Sequence, residues 1–310
     1  KLKEEHLSWT EIEEEKRQEY IDDSVEHAIS DYGNSVLYSS ARNEYMIERM
    51  KRLLTRTIWA LTKQLEAGDF VPVAYEMRFE NGKIDRVDLC KDKDKVYVKV
   101  LDYKTGSKAF DVVALYHGLQ LQLMVYMDAA VKMTQKHYPD SEVIPAGVFY
   151  YRLNDPLVEK KVVGEEEEIW QKILKELKVD GVMNLKDETL EHLDHCQAGE
   201  SAVIPVKYNK NGSLSKNSKV ASEKEFEEMM RHALGKVLKV HRKILSGEVA
   251  AFPYRRKQES GCDYCAYRHI CGFDQKIPGY KYRDIFEMTQ SEVIAAMEAC
   301  SQREHESGRS

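Results

Sequence analysis

The sequence predicts an α/β fold: a small mixed sheet flanked by helices, with a helical insertion and a cysteine-bearing C-terminal tail. Three observations predict it. Apolar residues recur three and four apart from Glu44 to Leu65, the spacing of one helix face. A run of extended, alternating segments follows, from Phe70 to Tyr103. Helical patterning then resumes around a single apolar run at 147–153, and three closely spaced cysteines stand near the end.

Taken in order, residues 1–70 read as helical, with Trp9, Ile12 and Tyr20 at loose helical intervals and Gly68 ending the run from Glu44. Phe70 to Phe79 reads as extended, and Asn81-Gly82 is a turn signal. A hairpin follows, with Ile84 to Leu89 on one strand, Lys91-Asp92-Lys93-Asp94 at the tip and Val96 to Tyr103 on the other. Thr105-Gly106-Ser107 ends that strand, and Val112 to Met133 reads as one long helix buried on more than one side. Gly147 to Leu153 is a further strand, closed by Asn154-Asp155-Pro156. The acidic run Glu165 to Glu168 opens a helix, where the positive end of the helix dipole favours carboxylates. Lys207 to Lys219 is a polar loop, Glu223 to Leu245 a helix, and Gly247 begins the tail. The pattern divides the chain into a helical part (1–70), a core (71–155), a helical segment (156–245) and the tail (246–310).

Composition sets bounds on function. A chain of 310 residues with 42% hydrophobic content buries a core. No stretch approaches the eighteen or so apolar residues of a membrane span, and Lys1-Leu2-Lys3-Glu4-Glu5 lacks a signal-peptide core, so a cytoplasmic location and no membrane partner are expected. A net charge of −6 gives no support to nucleic-acid binding through a general basic surface. The local basic stretch Lys207-Tyr208-Asn209-Lys210, with Lys216 and Lys219, reads first as a solvated turn.

One constellation carries chemistry. Gly82-Lys83-Ile84-Asp85 precedes the hairpin tip and Asp102-Tyr103-Lys104 closes it. Alternation puts Asp102 and Lys104 on one face, and Asp85 reaches the same spot from the neighbouring strand. Two carboxylates and an ammonium at a strand end suit phosphodiester hydrolysis, because hard oxygen ligands hold Mg²⁺ with positions left for water and phosphate. An isolated Asp-x-Lys is more often a surface salt bridge; here it is followed by an apolar helix carrying Gln122 and Tyr126, four apart and on one face. Gln120 lies on a different face.

Cys262, Cys265 and Cys271 have the spacing C-x2-C-x5-C, which suits zinc or an iron–sulfur cluster. His269 with the three thiolates would complete a zinc site, although it lies only two residues before Cys271. Cys90, Cys196 and Cys300 stand alone.

Three strings together carry a resemblance: Gly82-Lys83-Ile84-Asp85-Arg86-Val87-Asp88, Leu101-Asp102-Tyr103-Lys104-Thr105-Gly106, and Tyr116 to Asp128 with Gln122 and Tyr126. The chain resembles the nuclease domain of the AddB family of bacterial helicase–nuclease subunits, RecB-like PD-(D/E)XK nucleases with iron–sulfur cysteines. The resemblance implies a restriction-endonuclease-like fold. It makes Asp85 and Asp102 the Mg²⁺ ligands, Lys104 the catalytic lysine, and Gln122 with Tyr126 a Gln-x-x-x-Tyr motif; Glu76 takes the place of a glutamate on the preceding strand. Cys262, Cys265 and Cys271 would bind a 4Fe–4S cluster with a fourth cysteine far upstream. This sequence offers no equivalent of that cysteine, and His6 is in the wrong setting for the family's helix-borne histidine, so both are expected before Lys1. The interval from Phe79 to Gly82 is also shorter than in the family.

The implied activity is Mg²⁺-dependent exonucleolytic cutting of single-stranded DNA during processing of double-strand breaks for recombination, on the 5′-terminated strand, with AddA as partner. One rival is a CRISPR-adaptation-type iron–sulfur exonuclease, against which the long segment 155–245 argues. The other is a nuclease-like module that binds DNA or a partner without cutting, against which the intact Asp85, Asp102 and Lys104 argue.

Overall fold

The computed structural model describes residue 5 and residues 7–32, 37–80, 82–156 and 166–307, so His6, Asn81 and Glu165 lie outside the described residues. In chain order the elements are α1 (Glu14–Asp31), α2 (Ala41–Glu66), β1 (Val71–Phe79), β2 (Gly82–Asp92), β3 (Lys95–Lys104), α3 (Val112–Tyr116), α4 (Gln122–His137), β4 (Glu142–Arg152), α5 (Glu166–Glu176), β5 (Asp180–Asn184), α6 (Asp187–Leu193), β6 (Val220–Ala221), α7 (Glu223–Leu245), β7 (Tyr254–Arg256), β8 (Glu259–Ser260), α8 (Arg268–Cys271), β9 (Arg283–Asp284) and α9 (Gln290–Ser307).

Two compact units divide the chain. The first comprises residues 1–110 and 126–223, and the second 111–125 and 224–310. The first unit is built on a six-stranded sheet in the order β1-β2-β3-β4-β5-β6. β1, β2 and β3 form an antiparallel meander, β4 lies parallel to β3, β5 antiparallel to β4 and β6 parallel to β5. A parallel neighbour requires a crossover connection, and the stretch containing α3 and α4 supplies it between β3 and β4. The sheet is therefore mixed and helix-flanked, as the sequence predicts.

Burial follows the strand alternation. Leu61 of α2, Phe70, Tyr97, Leu101, Phe149, Tyr151 and Met183 form a core with Ile173 and Leu177 from the α5 region and Leu190 and Leu193 of α6. Ile21, Val25 and Ile29 of α1 close a smaller cluster on Ile47 of α2. Within the sheet lies a charged group: Arg86 and Asp88 are 1% and 0% exposed, and the guanidinium donates to Asp88 at 2.6 and 2.9 Å. Lys99, on the neighbouring strand directly opposite Asp88, closes the group at 2.9 Å.

Two sequence expectations change. The long helix from Val112 to Met133 is two helices, α3 and α4, because Gly118 adopts a left-handed backbone (φ +83°) just after α3 and breaks the ladder. The segment 156–245, read as helical, also contributes β5 and β6 to the sheet edge. β5 is only five residues long and is buried past Asp180; its Gly181 sits where a Cβ would lie 1.9 Å from the Val148 carbonyl oxygen, so the close pairing with β4 depends on that glycine.

In the second unit, Asp111 caps α3 by accepting from the Ala114 amide at 2.9 Å, and Arg256 pairs with both Asp111 (2.5 Å) and Glu287 (2.9 Å). His232 of α7 stacks on Tyr116 at 5.2 Å, and Nε2 of its ring lies 2.9 Å from the Tyr116 carbonyl oxygen. β7 pairs with β8 and β9 in a three-stranded sheet beside the cysteine-bearing loop. No described helix is long and apolar enough to cross a membrane.

Candidate active site

The end of the β2–β3 ladder assembles the site. Arg86 faces Leu101 in the last registered pair, which leaves Asp85 and Asp102 opposite each other one step further on. Asp85 Oδ2 accepts the Tyr103 amide at 2.9 Å, so its carboxylate is fixed across the strand pair. Asp102 is only 1% exposed, and Lys104, two residues on and on the same face, sets its ammonium 2.5 Å from Asp102 Oδ2. That contact is ionic and lacks hydrogen-bond geometry: Asp102 Oδ2 is buried without a hydrogen-bond partner among the described residues. Burial pushes the Asp102 carboxyl above the usual carboxylate range, the Lys104 ammonium opposes this, and the charge of Asp85 adds to it.

The structure adds two residues that the sequence reading did not select. Tyr150 of β4 is registered beside Asp102, its hydroxyl is buried without a partner among the described residues, and its ring lies 5.7 Å from the Lys104 ammonium and 5.6 Å from that of Lys108. Burial raises the Tyr150 hydroxyl's pKa and the charge of Asp102 raises it further. Burial lowers the Lys108 ammonium's pKa, Lys104 lowers it again, and Asp102 opposes both. Nothing in the strings Tyr150-Tyr151 or Ser107-Lys108-Ala109 signals this, because the parallel register of β3 and β4 joins them.

Of the other expected residues, Tyr126 packs edge-on against Phe79 of β1 at 5.7 Å, at the start of the β1–β2 turn. Gln122 opens α4 one turn before Tyr126 and belongs to the second unit. Glu76 lies between the registered pairs Tyr75–Arg86 and Met77–Ile84, hence opposite Asp85, in a left-handed backbone (φ +52°) unusual for a residue with a side chain. Its carboxylate is paired with Lys83.

The donors at this strand end fit a magnesium-type cation: two carboxylates from paired strands, one with a buried oxygen lacking a hydrogen bond, form the hard-oxygen set such an ion prefers. The tail, in the second unit, meets its implied cluster less completely. Cys262 is half-buried and Cys265 and Cys271 are exposed in a loop of tight turns, where the Cys265 amide donates to the Cys262 carbonyl and the Cys271 amide to that of Tyr267. Their donor chemistry suits a cluster or zinc, but among the described residues the three sulfurs do not gather within 4.8 Å of one another.

This geometry agrees with the similarity of the chain to known proteins. The family model described as the PD-(D/E)XK nuclease superfamily matches residues 2–272. Similar curated proteins are named as the B subunits of ATP-dependent helicase/deoxyribonucleases. That of Lachnoclostridium phytofermentans is 39% identical over 94% of this chain and 26% of its own length. That of Clostridium kluyveri is 33% identical over 94% of this chain and 27% of its own, and that of Alkaliphilus metalliredigens 32% over 97% and 28%. The chain thus spans about a quarter of the length of these relatives. With a carboxylate pair and lysine at the end of a mixed sheet and a family match over most of its length, this chain belongs to the PD-(D/E)XK nuclease superfamily.

Proposed function

We propose that the chain is the nuclease domain of a helicase–nuclease, cutting single-stranded DNA with Mg²⁺ during the processing of double-strand break ends. The observation that carries this reading is the buried Asp102 carboxylate oxygen without a hydrogen bond, opposite Asp85 and beside Lys104. A carboxylate left so at 1% exposure costs stability unless a cation meets it.

In this reading Asp85 and Asp102 hold the ion, which when bound supplies a water of lowered pKa and neutralises charge on the phosphate. The Asp85 carboxylate is oriented by the Tyr103 amide, so its other oxygen faces the ion without rotation. The Lys104 ammonium stabilises the negative charge that grows on the phosphoryl oxygens as water attacks phosphorus and the bridging P–O bond breaks. Lys108 adds a second cation over the Tyr150 ring. Gln122 and Tyr126 project from one helix face as the positioning pair of the Gln-x-x-x-Tyr motif.

A cleft of about 420 Å³ offers a path for the DNA backbone. Arg152, Lys175, Lys178, Lys207 and Lys219 line it, against Glu176, Asp180 and Glu200. Arg152 is registered beside Lys104 and donates to the Lys108 carbonyl at 3.3 Å, so the cleft begins next to the catalytic strand end. Lys207 and Lys219, read from sequence as a solvated turn, thereby belong to a local basic surface that net charge conceals.

The relatives are named as one component of a helicase/deoxyribonuclease, and from that name come the remaining proposals: an AddA-type partner carrying the motor, the 5′-terminated strand as substrate and a cytoplasmic setting. Cys262, Cys265 and Cys271 supply three of the four thiolates of a structural 4Fe–4S cluster, the fourth coming from elsewhere in the longer protein. The deciding assay compares Asp102→Ala with the parent on end-labelled single-stranded DNA with and without Mg²⁺. The expected loss is about 10² to 10³-fold in cutting rate with DNA binding retained. Equal rates refute the reading, and binding without cutting by the parent assigns the chain to a non-cutting DNA-binding module.

A further inference from the structure

A second group of metal-ligating side chains stands in the first unit, away from the nuclease carboxylates. Asp69 follows α2, Cys90 lies on β2, and His192 is in the last turn of α6. Their donor atoms all lie within 4.8 Å of one another, the one such group of three among the described residues. Cys90 is five residues along β2 from Asp85, a separation of about 17 Å at the usual strand rise, so the two groups cannot share an ion.

The group is held from behind. Asp69 Oδ2 lies 2.8 Å from His192 Nδ1, while the other ring nitrogen, Nε2, faces Asp92 Oδ2 at 4.0 Å. A histidine with one nitrogen toward a ligand cluster and the other toward a carboxylate is the arrangement that fixes tautomer and ring orientation in zinc sites. The second oxygen of Asp69 is 3.1 Å from His195 Nε2. The two backbone segments clamp each other: the Asp69 amide donates to the His192 carbonyl at 2.9 Å, and the His195 amide to that of Ala67 at 2.8 Å. Gly68 allows this approach, since a Cβ there would lie 2.4 Å from the His192 carbonyl oxygen. Three remote parts of the sequence are thus brought to one point by main-chain bonds that do not depend on the donor side chains.

We propose that Asp69, Cys90 and His192 form a structural zinc site, with water or His195 in the fourth position. The donor set selects the metal: a thiolate and an imidazole disfavour magnesium and calcium, and one thiolate with one carboxylate neutralises a divalent charge. Donors on zinc stand about 3.3 to 3.8 Å apart, given bonds of about 2.0 to 2.3 Å in a tetrahedron, so side-chain movements of about an ångström close the site. Binding releases the Cys90 thiol proton to solvent as the metal–sulfur bond forms. The ion would join α6 to the sheet at the far end of β2 from the cutting site.

The test uses the 310-residue chain with Cys262, Cys265 and Cys271 replaced by serine, so that tail thiolates do not contribute. Titration with Co²⁺ is expected to give one saturable equivalent with a thiolate-to-metal charge-transfer band and tetrahedral visible bands, and Zn²⁺ to displace it and raise the Tm. Cys90→Ser and His192→Gln should abolish the band. Asp92→Asn should keep the stoichiometry while weakening affinity about tenfold, a change a merely structural aspartate would not produce. Because Cys90 is buried, His192→Gln serves if Cys90→Ser does not fold, and zinc content of the chain with its tail cysteines intact should fall by one equivalent on His192→Gln. Absence of saturable uptake by the folded protein, or uptake and zinc content left unchanged by these substitutions, overturns the proposal.

Discussion

At the residue scale, the energetics turn on Asp102. Its carboxyl is raised by burial, so the folded state holds a proton that the unfolded chain has already released. The stability it permits is complete below the ordinary aspartate range and declines as pH rises through the elevated folded value. Asp102→Asn, which keeps the shape and removes the charge, is therefore expected to raise the Tm by about 2 to 4 °C at pH 7 without divalent ions, roughly the effect of 1 kcal/mol in a domain of this size. Scanning calorimetry should show this advantage shrinking toward about pH 4. Mg²⁺ should narrow it at pH 7 by stabilising the parent alone, and a variant that melts with or below the parent at pH 7 contradicts the account. Lys108 and Tyr150 show why sequence missed part of the site: neither sits in a motif, and each arrives through pairing of β3 with β4 or the loop beyond β3.

At the scale of elements, β2 and β3 are joined by a buried ion group as well as by their ladder. Burial pushes the Asp88 carboxyl up, but Arg86 and Lys99 outweigh it and hold the group below its usual range. Lys99 moves downward because burial and Arg86 exceed the pull of its one carboxylate. Asp88→Ala leaves two cations buried without their counter-charge, which predicts a loss of about 3 to 5 kcal/mol in urea unfolding at pH 7. A depressed carboxyl contributes stability above the ordinary range and loses it as pH falls, so the gap between parent and variant should narrow below about pH 4. β5 depends on sequence in a different way: Gly181→Ala would drive a Cβ into the Val148 carbonyl, and its cost, about 3 kcal/mol or more, should appear as faster amide exchange in β5 and β6.

At the scale of the whole molecule, a net charge of −6 and a DNA substrate are compatible because the cations are gathered locally, five of them on one cleft. Replacing Lys175 and Lys207 together by alanine should weaken single-stranded DNA binding and reduce the slope of log affinity against log salt by about 0.7 for each phosphate no longer neutralised. An unchanged slope removes the cleft from the DNA path. The sequence by itself determined the hairpin, the facing of Asp102 and Lys104, the cysteine loop and the α/β class, because each follows from short-range rules: period-two alternation, turn residues and ligand spacing. Only the tertiary structure decided that Gly118 splits a helix, that residues 180–184 and 220–221 extend the sheet, that Lys108 and Tyr150 stand at the carboxylates, and that Asp69, Cys90 and His192 meet. Those outcomes depend on pairing between segments far apart in the chain, and periodicity carries no record of which strand will lie beside which.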